Sequence, residues 1–492
     1  MRLNAGTLDR LPAAIARPAY DRDKVRVGIV HLGVGGFHRA HQAMYLDRLM
    51  NDGQAMDWGI CGVGLLPGDR RMQQVMHAQD GLYTLVVKHP DGTLSSRVIG
   101  SIVKYLYAPD DPVTVIEALA ERRTRIVSLT VTEGGYNLRP GTGRFDDTNL
   151  EVLKDLTDGV TPTTWFGYLT EGLRLRRARG LGGFTVVSCD NIEGNGDAAR
   201  ESLSAFATLK DPELGDWIRA TVRFPDSMVD RITPATTDAD RQDFLSRYGV
   251  SDDWPVHCEP FSQWMLEDDF GDPVSGRPPL ENAGVTLVPG VRPYELMKLR
   301  LLNAGHQALA YLGSLAGHRM VHEATQDPAF AGFLRGYLAE AVPTLEPVPG
   351  VDLEEYQQNL LVRFSNANVS DTLARLATDG SDRIPKFLLP VITENLAAGR
   401  DVRRSAAVLA GWARYCEGVD ELGRPIEVQD SLADRLRANA RRQGADPLAF
   451  VADRELFGDL VDSEAFRTAY LDALSMLRSQ GARATVAHLA QD

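Results

Sequence analysis

The 492-residue chain has few cysteines and no long uncharged apolar stretch. Its four cysteines, Cys61, Cys189, Cys258 and Cys416, stand far apart, so neither a CxxC zinc site nor a disulfide framework is expected. No apolar run reaches the length of a membrane span. The N-terminal stretch MRLNAGTLDRLPAAIARPAY lacks the continuous apolar core of a signal peptide. These absences predict a cytoplasmic protein that does not enter a membrane.

Basic residues are also fewer than acidic ones. Lys and Arg total 53 against 67 Asp and Glu, which gives a net charge of −14, and no dense Lys/Arg cluster stands out. Nucleic acids and anionic membrane surfaces require a basic footprint, so neither is an expected partner. The chain is longer than one hydrophobic core supports, and two or three domains are therefore expected.

The first half of the chain alternates short apolar runs with helical patterns. Runs rich in Val and Ile, without polar alternation, are typical of strands covered on both faces. They lie at 25–33, 58–65, 125–133 and 183–191. Strand–helix alternation predicts an α/β fold with a parallel, doubly wound sheet.

The second half changes character. From about Tyr294 onward the pattern is mostly helical, and the Pro/Gly-rich segment 271–290 marks the best boundary. We therefore expect a doubly wound domain over 1–285, followed by a mostly α-helical substrate-binding domain over 286–492.

The first apolar run leads into the closely spaced glycines Gly33, Gly35 and Gly36, ahead of a helical pattern. In that context the first glycine allows a tight turn, and the second lets the backbone approach a pyrophosphate at the helix N-terminus. The GxGxxG pattern is incomplete because His38 occupies its third glycine position. Gly36 is expected to provide the close helix–strand approach instead. A Rossmann-like dinucleotide loop is therefore favoured over a plain turn.

Two histidines follow the glycines. His38 and His41, three residues apart on a helix, could share one face. A metal site is nevertheless not expected, since no nearby Cys or acidic cluster completes a ligand set and no HExxH motif is present. Contact with the cofactor or local hydrogen bonding is the expected role.

An acidic residue after the second strand would select the cofactor. The usual spacing is about 20 residues. The candidate here is Asp69, which requires a longer first helix and loop. A carboxylate at this point accepts ribose hydroxyls and repels a 2′-phosphate, which favours NAD. Arg70 and Arg71 leave the alternative open, because a guanidinium can hold a 2′-phosphate.

The stretch 293–313 predicts a helix that carries Lys298, Asn303 and His306. At about 100° per residue they fall within less than half of the helix circumference, beside leucines. Burial lowers the pKa of a lysine ammonium, which suits a general base. Asparagine can donate to a developing alkoxide, and histidine can orient a hydroxyl. A surface lysine beside a core Asn and His would give the same pattern.

Six stretches resemble motifs of the mannitol dehydrogenase family, the polyol-specific long-chain dehydrogenases and reductases. They are GVGGFHRAH, TEGGY, SCDN, FPDSMVDRITP, CEPFSQW and YELMKLRLLNAGH, in the family's order. The resemblance spans nearly the whole chain, from about residue 25 to the final helices. It implies metal-independent hydride transfer between a polyol carbon and NAD, with the incomplete glycine loop as the family's own variant.

The resemblance also implies roles for individual residues. Lys298 falls on the catalytic lysine. Asn191, at the end of a predicted strand, and Asn303 fall on the asparagines that stabilise the oxyanion. His306 falls on the substrate-positioning histidine, and Glu295 on an acid that gates proton exit.

Further contacts follow from the same resemblance. Asp230 and Arg375 fall among substrate-contacting residues, as do Arg383 and Lys386 in a basic segment. Arg383 stands where lysine is expected, which leaves its role open. The implied cofactor contacts are Gly33, Gly35, Gly36, Phe37, Asp69, Thr132 and Glu133.

The substrate within the family is less closely specified. PKFLLPVI is typical of enzymes that act on mannitol, whereas MKLRLLN and GWARYCEGVDELGRPIE lean toward uronate reductases. Arg300 would suit a substrate carboxylate, unless it lies on a solvated helix face. We predict oxidation of mannitol to fructose, with D-arabinitol, D-sorbitol and hexuronates as alternatives. A dinucleotide-sensing protein would share the fold, but Lys298, Asn191 and Asn303 argue against it.

Overall fold

The strands of the protein lie in the first of two units, Met1–Arg292 and Pro293–Asp492, into which the chain divides. The computed structural model describes residues 1–139, 142–157, 159–271 and 276–491. In chain order the strands are β1 (Ile15–Ala16), β2 (Val27–Leu32), β3 (Gly59–Gly64), β4 (Tyr83–Lys88), β5 (Leu94–Ile99), β6 (Ile102–Tyr107), β7 (Ile126–Leu129), β8 (Thr185–Ser188), β9 (Ser227–Asp230), β10 (Val256–Cys258), β11 (Gln263–Glu267) and β12 (Thr286–Val288).

The main sheet has five parallel strands in the order β6-β3-β2-β7-β8. Taken in chain order these strands run 3-2-1-4-5, which is the doubly wound arrangement of dinucleotide-binding folds. The four runs predicted as strands correspond to β2, β3, β7 and β8. The predicted Rossmann-like fold of this unit is confirmed.

Both faces of this sheet are covered by helices. Ile29 of β2 packs into one hydrophobic cluster with α2, whereas its neighbour Val30 packs into a second cluster with α6 and α7. Burial on both faces explains the Val/Ile-rich, non-alternating sequence of the strands. The helices of this unit are α1 (Gly36–Ala40), α2 (Gln42–Asn51), α3 (Arg70–Ala78), α4 (Pro112–Ala120), α5 (Leu150–Leu156), α6 (Trp165–Ala178), α7 (Asn195–Lys210), α8 (Pro212–Thr221) and α9 (Asp238–Tyr248).

Two smaller sheets complete the first unit. One has the order β1-β5-β4-β10 and the other β12-β11-β9. Strand β12 lies within the Pro/Gly-rich segment 271–290 and pairs with β11. Residues 286–288 of that segment therefore belong to a sheet of the first unit, so the segment is not an extended linker throughout. Residues 272–275 of the segment lie outside the described ranges.

The second unit is mostly helical in its described residues, as predicted. Helix α11 is buried along its whole length and packs against α13, α15 and α18. A π-helical segment, Lys298–Asn303, lies between α10 and α11. The helices are α10 (Arg292–Met297), α11 (Ala304–Leu315), α12 (Val321–Gln326), α13 (Pro328–Ala341), α14 (Leu353–Phe364), α15 (Leu373–Ala377), α16 (Gly380–Phe387), α17 (Leu389–Ala397), α18 (Arg403–Tyr415), α19 (Ala433–Arg442), α20 (Arg454–Phe457), α21 (Glu464–Gln480) and α22 (Ala482–Leu489).

Among the residues that the structure describes, no helix is both long enough and apolar enough to cross a membrane.

Candidate active site

The chain turns sharply between β2 and α1. Gly33 has a φ of 91°, and a Cβ at this position would lie 2.1 Å from the carbonyl oxygen of Thr130. Glycine is therefore required here on two grounds, backbone conformation and close approach. At Gly35 the nearest atom to a Cβ would be 3.9 Å away, so this part of the turn presents bare backbone.

Hydrogen bonds to neighbouring strands fix this turn. Nδ1 of His31 lies 2.8 Å from Oγ of Ser128, and Nε2 lies 3.1 Å from Oγ1 of Thr130. The Thr130 hydroxyl in turn donates to the carbonyl oxygen of Gly33 at 2.6 Å. The glycine turn is thus anchored through β7.

The residues after the turn depart from one expectation. A Cβ on Gly36 would meet the methyl group of Thr233 at 3.8 Å, which is ordinary contact. The predicted role of Gly36 in close helix–strand packing is therefore wrong. The ring of Phe37 stacks on that of His41, with centroids 4.9 Å apart, and is half-buried against the core.

His38 and His41 have different surroundings rather than a common face. The ring of His38 stacks on that of His31, with centroids 3.4 Å apart and planes 8° apart. His41 stands at a break between α1 and α2, and its Nε2 lies 2.9 Å from the carbonyl oxygen of Gln263. Burial lowers the pKa of His31 to about 3 and moves that of His38 well below its ordinary value. In the described ranges no group of three or more His, Cys, Asp or Glu is arranged to hold a metal ion.

Asp69 ends a short 3₁₀ turn, Pro67–Asp69, after β3, the strand next to β2. Its Oδ2 accepts a hydrogen bond from the N–H of Leu66 at 2.9 Å. This bond holds the carboxylate at the carboxyl end of the sheet, beside the strand that enters the glycine turn. That edge of the sheet is where ligands bind in α/β folds.

The arginines that follow Asp69 are engaged by other side chains. Arg70 donates two hydrogen bonds to the carboxylate of Asp110, at 2.5 and 2.7 Å. The guanidinium of Arg71 lies 4.7 Å from the ring centroid of Trp254. The alternative in which these arginines hold a 2′-phosphate therefore loses support.

The segment that follows β7 contains a strained residue. Thr132 has φ 66° and ψ 164°, a region that essentially only glycine occupies. Such a conformation costs roughly 1–3 kcal/mol and persists only where the surroundings impose it. Thr132 is followed by the 3₁₀ turn Glu133–Tyr136, of which Glu133 is exposed. Both implied cofactor contacts, Thr132 and Glu133, thus lie just beyond a strand of the main sheet.

Next to Asn191 lies a buried carboxylate, that of Asp190, which was not predicted from the sequence. Asp190 accepts hydrogen bonds from the N–H groups of Val131 and Thr132, at 3.0 and 2.9 Å, and from the hydroxyl of Tyr136 at 2.7 Å. Burial raises the pKa of Asp190 to about 6, although these hydrogen bonds oppose the shift. Asn191 follows it and is exposed beyond the end of β8. The sequence feature that could have indicated this residue is the acid in the motif SCDN.

Asp230 is the last residue of β9 and is buried. It pairs in register with Gln263 of β11, so it belongs to a smaller sheet rather than the main one. The start of β9 is nevertheless tied to the end of β8, because the Asn195 amide donates to the carbonyl oxygens of Asp190 and Ser227 at 3.1 and 2.7 Å.

In the second unit, the helix predicted over 293–313 is interrupted by the π-helical segment Lys298–Asn303. Lys298 and Asn303 are its first and last residues. The i→i+5 hydrogen bonds of a π segment widen the turn, so the predicted spacing of 100° per residue does not apply between them. Lys298 is buried and Asn303 is half-buried. The alternative of a surface lysine is therefore wrong.

Arg300 lies inside the π segment and is tied to its surroundings. Its guanidinium donates to both carboxylate oxygens of Glu394, at 2.8 and 2.7 Å, and also to the carbonyl oxygen of Thr344. The hydroxyl of Tyr337 donates to the main-chain oxygen of Arg300 at 2.8 Å. Arg300 is thus buried and does not lie on a solvated helix face. Its guanidinium, a candidate partner for a substrate carboxylate, is already bound to Glu394.

Glu295 and His306 flank the π segment. Glu295 is a buried residue of α10, and His306 is a buried residue near the start of α11. The His306 ring stacks on Phe364, with centroids 4.0 Å apart. One continuous stretch of the second unit therefore carries an acid, a lysine, an amide and an imidazole.

The predicted basic substrate residues form contacts within the second unit. Arg375 donates two hydrogen bonds to Asp371, at 2.7 and 2.6 Å. Nη1 of Arg383 lies 3.5 Å from the main-chain oxygen of Arg375. Lys386 pairs with Asp382, one helical turn earlier, at 2.6 Å. The structure therefore brings Arg375 and Arg383 together, whereas Lys386 forms an exposed ion pair along its own helix.

Two family models match the chain in succession. The mannitol dehydrogenase Rossmann domain matches residues 27–281, and the mannitol dehydrogenase C-terminal domain matches residues 290–477. Their order agrees with the doubly wound first unit and the helical second unit. The chain belongs to the mannitol dehydrogenase family, as the sequence motifs predicted.

Similar proteins match over nearly the full length. A mannitol 2-dehydrogenase of Phaeosphaeria nodorum is 44% identical over 495 residues, covering 100% of this chain and 86% of the relative. A mannitol dehydrogenase of Saccharomyces cerevisiae is 45% identical over 488 residues, covering 98% and 96%. The Pseudomonas fluorescens mannitol 2-dehydrogenase, solved as a ternary complex with NAD and D-mannitol, aligns with a TM-score of 0.92 at 44% identity and 100% coverage of both chains. A substrate-free D-sorbitol dehydrogenase aligns with a TM-score of 0.87 at 38% identity, covering 99% of this chain and 100% of that one.

Proposed function

We propose that this protein catalyses the NAD-dependent, metal-independent oxidation of D-mannitol to D-fructose and the reverse reduction. The observation that carries the proposal is the full-length match to a mannitol 2-dehydrogenase solved with NAD and D-mannitol, at 44% identity. The small polyol is the proposed partner, and a cytoplasmic location is retained from the composition.

The first unit suits NAD. The bare backbone at Gly35 allows close approach of a pyrophosphate, and the carboxylate of Asp69 suits ribose hydroxyls. Arg70 is paired with Asp110, which disfavours its use for a 2′-phosphate. When bound, NAD supplies the hydride acceptor. The other proposed contacts are Gly33, Gly36, Phe37, Thr132 and Glu133.

The proposed acid–base chemistry belongs to the motif residues. Lys298 as a neutral amine takes the proton from the hydroxyl that is oxidised, and returns it in ketose reduction. The amides of Asn191 and Asn303 donate to the developing alkoxide. Such preorganised neutral donors stabilise negative charge effectively in a site that excludes water. His306 orients the substrate hydroxyl, and Glu295 passes the proton to solvent.

The remaining polyol hydroxyls contact Asp230, Arg375, Arg383 and Lys386 in this proposal. Mannitol is favoured over hexuronates because Glu394 already binds Arg300, the guanidinium considered for a uronate carboxylate. D-sorbitol remains the second candidate substrate, on the match to a D-sorbitol dehydrogenase at 38% identity.

A substrate panel tests the proposal. The purified protein is mixed with NAD and D-mannitol, D-arabinitol, D-sorbitol or D-mannonate, and NADH formation is followed by absorbance. D-mannitol should give the highest kcat/KM, and D-fructose with NADH should react in reverse. A higher kcat/KM for mannonate would reassign the protein to the uronate reductases. Binding of NADH without turnover of any substrate would support a dinucleotide sensor instead.

A further inference from the structure

We propose that Asp190 is a positioning residue, whose carboxylate holds residues 131–133 in the conformation that binds the coenzyme. This inference rests on the proposed function for the nature of the ligand. The contacts themselves lie within the first unit.

The strain at Thr132 requires an external constraint. A β-branched residue at φ 66° and ψ 164° is outside the regions that L-residues ordinarily occupy. The carboxylate of Asp190 accepts hydrogen bonds from two successive main-chain N–H groups, those of Val131 and Thr132. Both amides are thereby directed at one buried group, which fixes the peptide on the N-terminal side of Thr132.

The sheet register explains why Asp190 reaches this segment. Leu129 of β7 pairs with Ser188 of β8. Val131 and Asp190 each lie two residues beyond that pair, so the carboxylate leaves one strand end and meets the amides at the neighbouring one. Because Asn191 follows Asp190 directly, the same residue couples the segment to a proposed catalytic amide.

Tyr136 completes the arrangement. Its buried hydroxyl donates to Asp190 at 2.7 Å and lies 2.5 Å from Oγ of Ser188. Burial raises the pKa of Tyr136 well above its ordinary value, so the phenol remains a neutral donor. The carboxylate of Asp190 thus accepts hydrogen bonds from three donors. It accepts all three without competition only when it is ionised, because a protonated carboxyl group is itself a donor.

The arrangement should respond to pH. Burial raises the pKa of Asp190 to about 6, and the bonds from Tyr136, Val131 and Thr132 oppose this shift. The other titratable groups that face Asp190 in the described first unit are Glu133, which raises its pKa, and Cys189, whose own pKa is raised by burial. Protonation turns an acceptor oxygen into a donor, so the segment should loosen as pH falls through about 6.

The first experiment compares the wild type with Asp190→Asn. Hydrogen exchange, measured by mass spectrometry on peptides that contain residues 130–137, needs no ligand. NADH affinity is measured by fluorescence between pH 5 and 8. The substitution should speed exchange in this segment and weaken NADH binding by about tenfold, the lower range expected for loss of a constraint on a strained residue. Wild-type affinity should fall below about pH 6, whereas the variant should show no such ionisation.

Asp155→Asn is the matched control. Asp155 is also fully buried and accepts from two successive N–H groups, those of Thr163 and Thr164. Asp155 belongs to α5 and binds the residues just before α6, so it does not lie at a strand end of the main sheet. This variant should lose stability but keep the wild-type NADH affinity and pH profile.

Two further variants keep the inference testable if Asp190→Asn folds poorly. Tyr136→Phe removes a hydrogen-bond donor that lowers the Asp190 pKa. The loss of NADH affinity that accompanies acidification should therefore begin at a higher pH in this variant. Thr132→Gly removes the strain, so adding Asp190→Asn to it should cost less than about threefold in NADH affinity.

Unchanged exchange in residues 130–137 of Asp190→Asn overturns the inference. So does an equal loss of affinity in the Asp155 control, or a pH profile that Tyr136→Phe does not shift. A wild type that binds no NADH would defeat the proposed function instead, and the exchange comparison would still decide whether Asp190 holds the segment.

Discussion

Replacing Glu394 with glutamine would test whether the ion pair with Arg300 keeps the π segment in place. The guanidinium of Arg300 is 7% exposed and donates to both oxygens of Glu394, whose side chain is 46% exposed. A neutral amide offers one acceptor oxygen in place of two charged ones. The buried cation would then depend on Thr344 for its remaining strong acceptor.

The expected magnitude follows from this exposure. Breaking a fully buried ion pair costs about 3–5 kcal/mol, whereas an exposed pair contributes about 0–1 kcal/mol. The half-exposed Glu394 places the cost at about 2 kcal/mol. For a cooperative unit of about 200 residues this lowers Tm by roughly 4–8 °C. Because Lys298 and Asn303 bound the same segment, their displacement should also lower kcat by about tenfold.

Scanning calorimetry and steady-state kinetics with D-mannitol would measure the two effects. Asp453→Asn is the control, since Arg435 donates two hydrogen bonds to Asp453 elsewhere in the second unit. It should lower Tm comparably and leave kcat unchanged. The ion pair does not position the π segment if Glu394→Gln keeps the wild-type kcat despite lost stability, or if both variants lose kcat equally.

Four further predictions concern the coenzyme, the base, metal and pH. Lys298→Ala should lower kcat/KM for D-mannitol about 10²–10⁴-fold while NADH binding is retained, and near-normal turnover would place the base elsewhere. Asp69→Ala should lower the NAD/NADP ratio of kcat/KM, and an unchanged ratio would show that Asp69 is not the selector. Activity should survive dialysis against EDTA; a loss that zinc restores would contradict the metal-independent mechanism. Burial lowers the pKa of His31 to about 3, so below about pH 6.5 the folded protein binds fewer protons there than the unfolded chain. The free energy of unfolding therefore decreases as pH decreases below about 6.5. His31→Gln should make that fall shallower in urea unfolding between pH 7 and 5, and equal slopes would refute the assignment.

Much of the fold was predictable because burial leaves a local signature. Strands β2, β3, β7 and β8 are covered on both faces, and each therefore reads as a short run of Val and Ile. The smaller sheets leave no such signature. Strands β10 and β12 have only three residues each. Strand β10 also pairs with β4, which lies far away in the sequence.

The local geometry of the candidate site was predictable where a residue lies in a recognisable motif, as for the tight turn at Gly33 and the burial of Lys298. What failed depended on contacts between distant segments. The importance of Asp190 arises from the register between β7 and β8, which no local pattern encodes. The widened turn at Lys298–Asn303 cannot be predicted from hydrophobic periodicity either, because a short leucine-rich stretch is compatible with both an α-helix and a π-helix.

The π segment has a consequence for insertions and deletions in this family. A widened turn accommodates an extra residue without adding a full turn of α-helix. Deleting one residue between Lys298 and Asn303 would therefore favour an uninterrupted α-helix, and the two flanks would keep nearly the same orientation because the widened turn had already absorbed the extra residue. The buried faces of α10 and α11 would then keep their packing partners, but Lys298 and Asn303 would be four residues apart in place of five, which changes the relative directions of their side chains. The length of this short stretch should accordingly be more constrained than the identity of its leucines, and sequence alignments of relatives should place no gap within it.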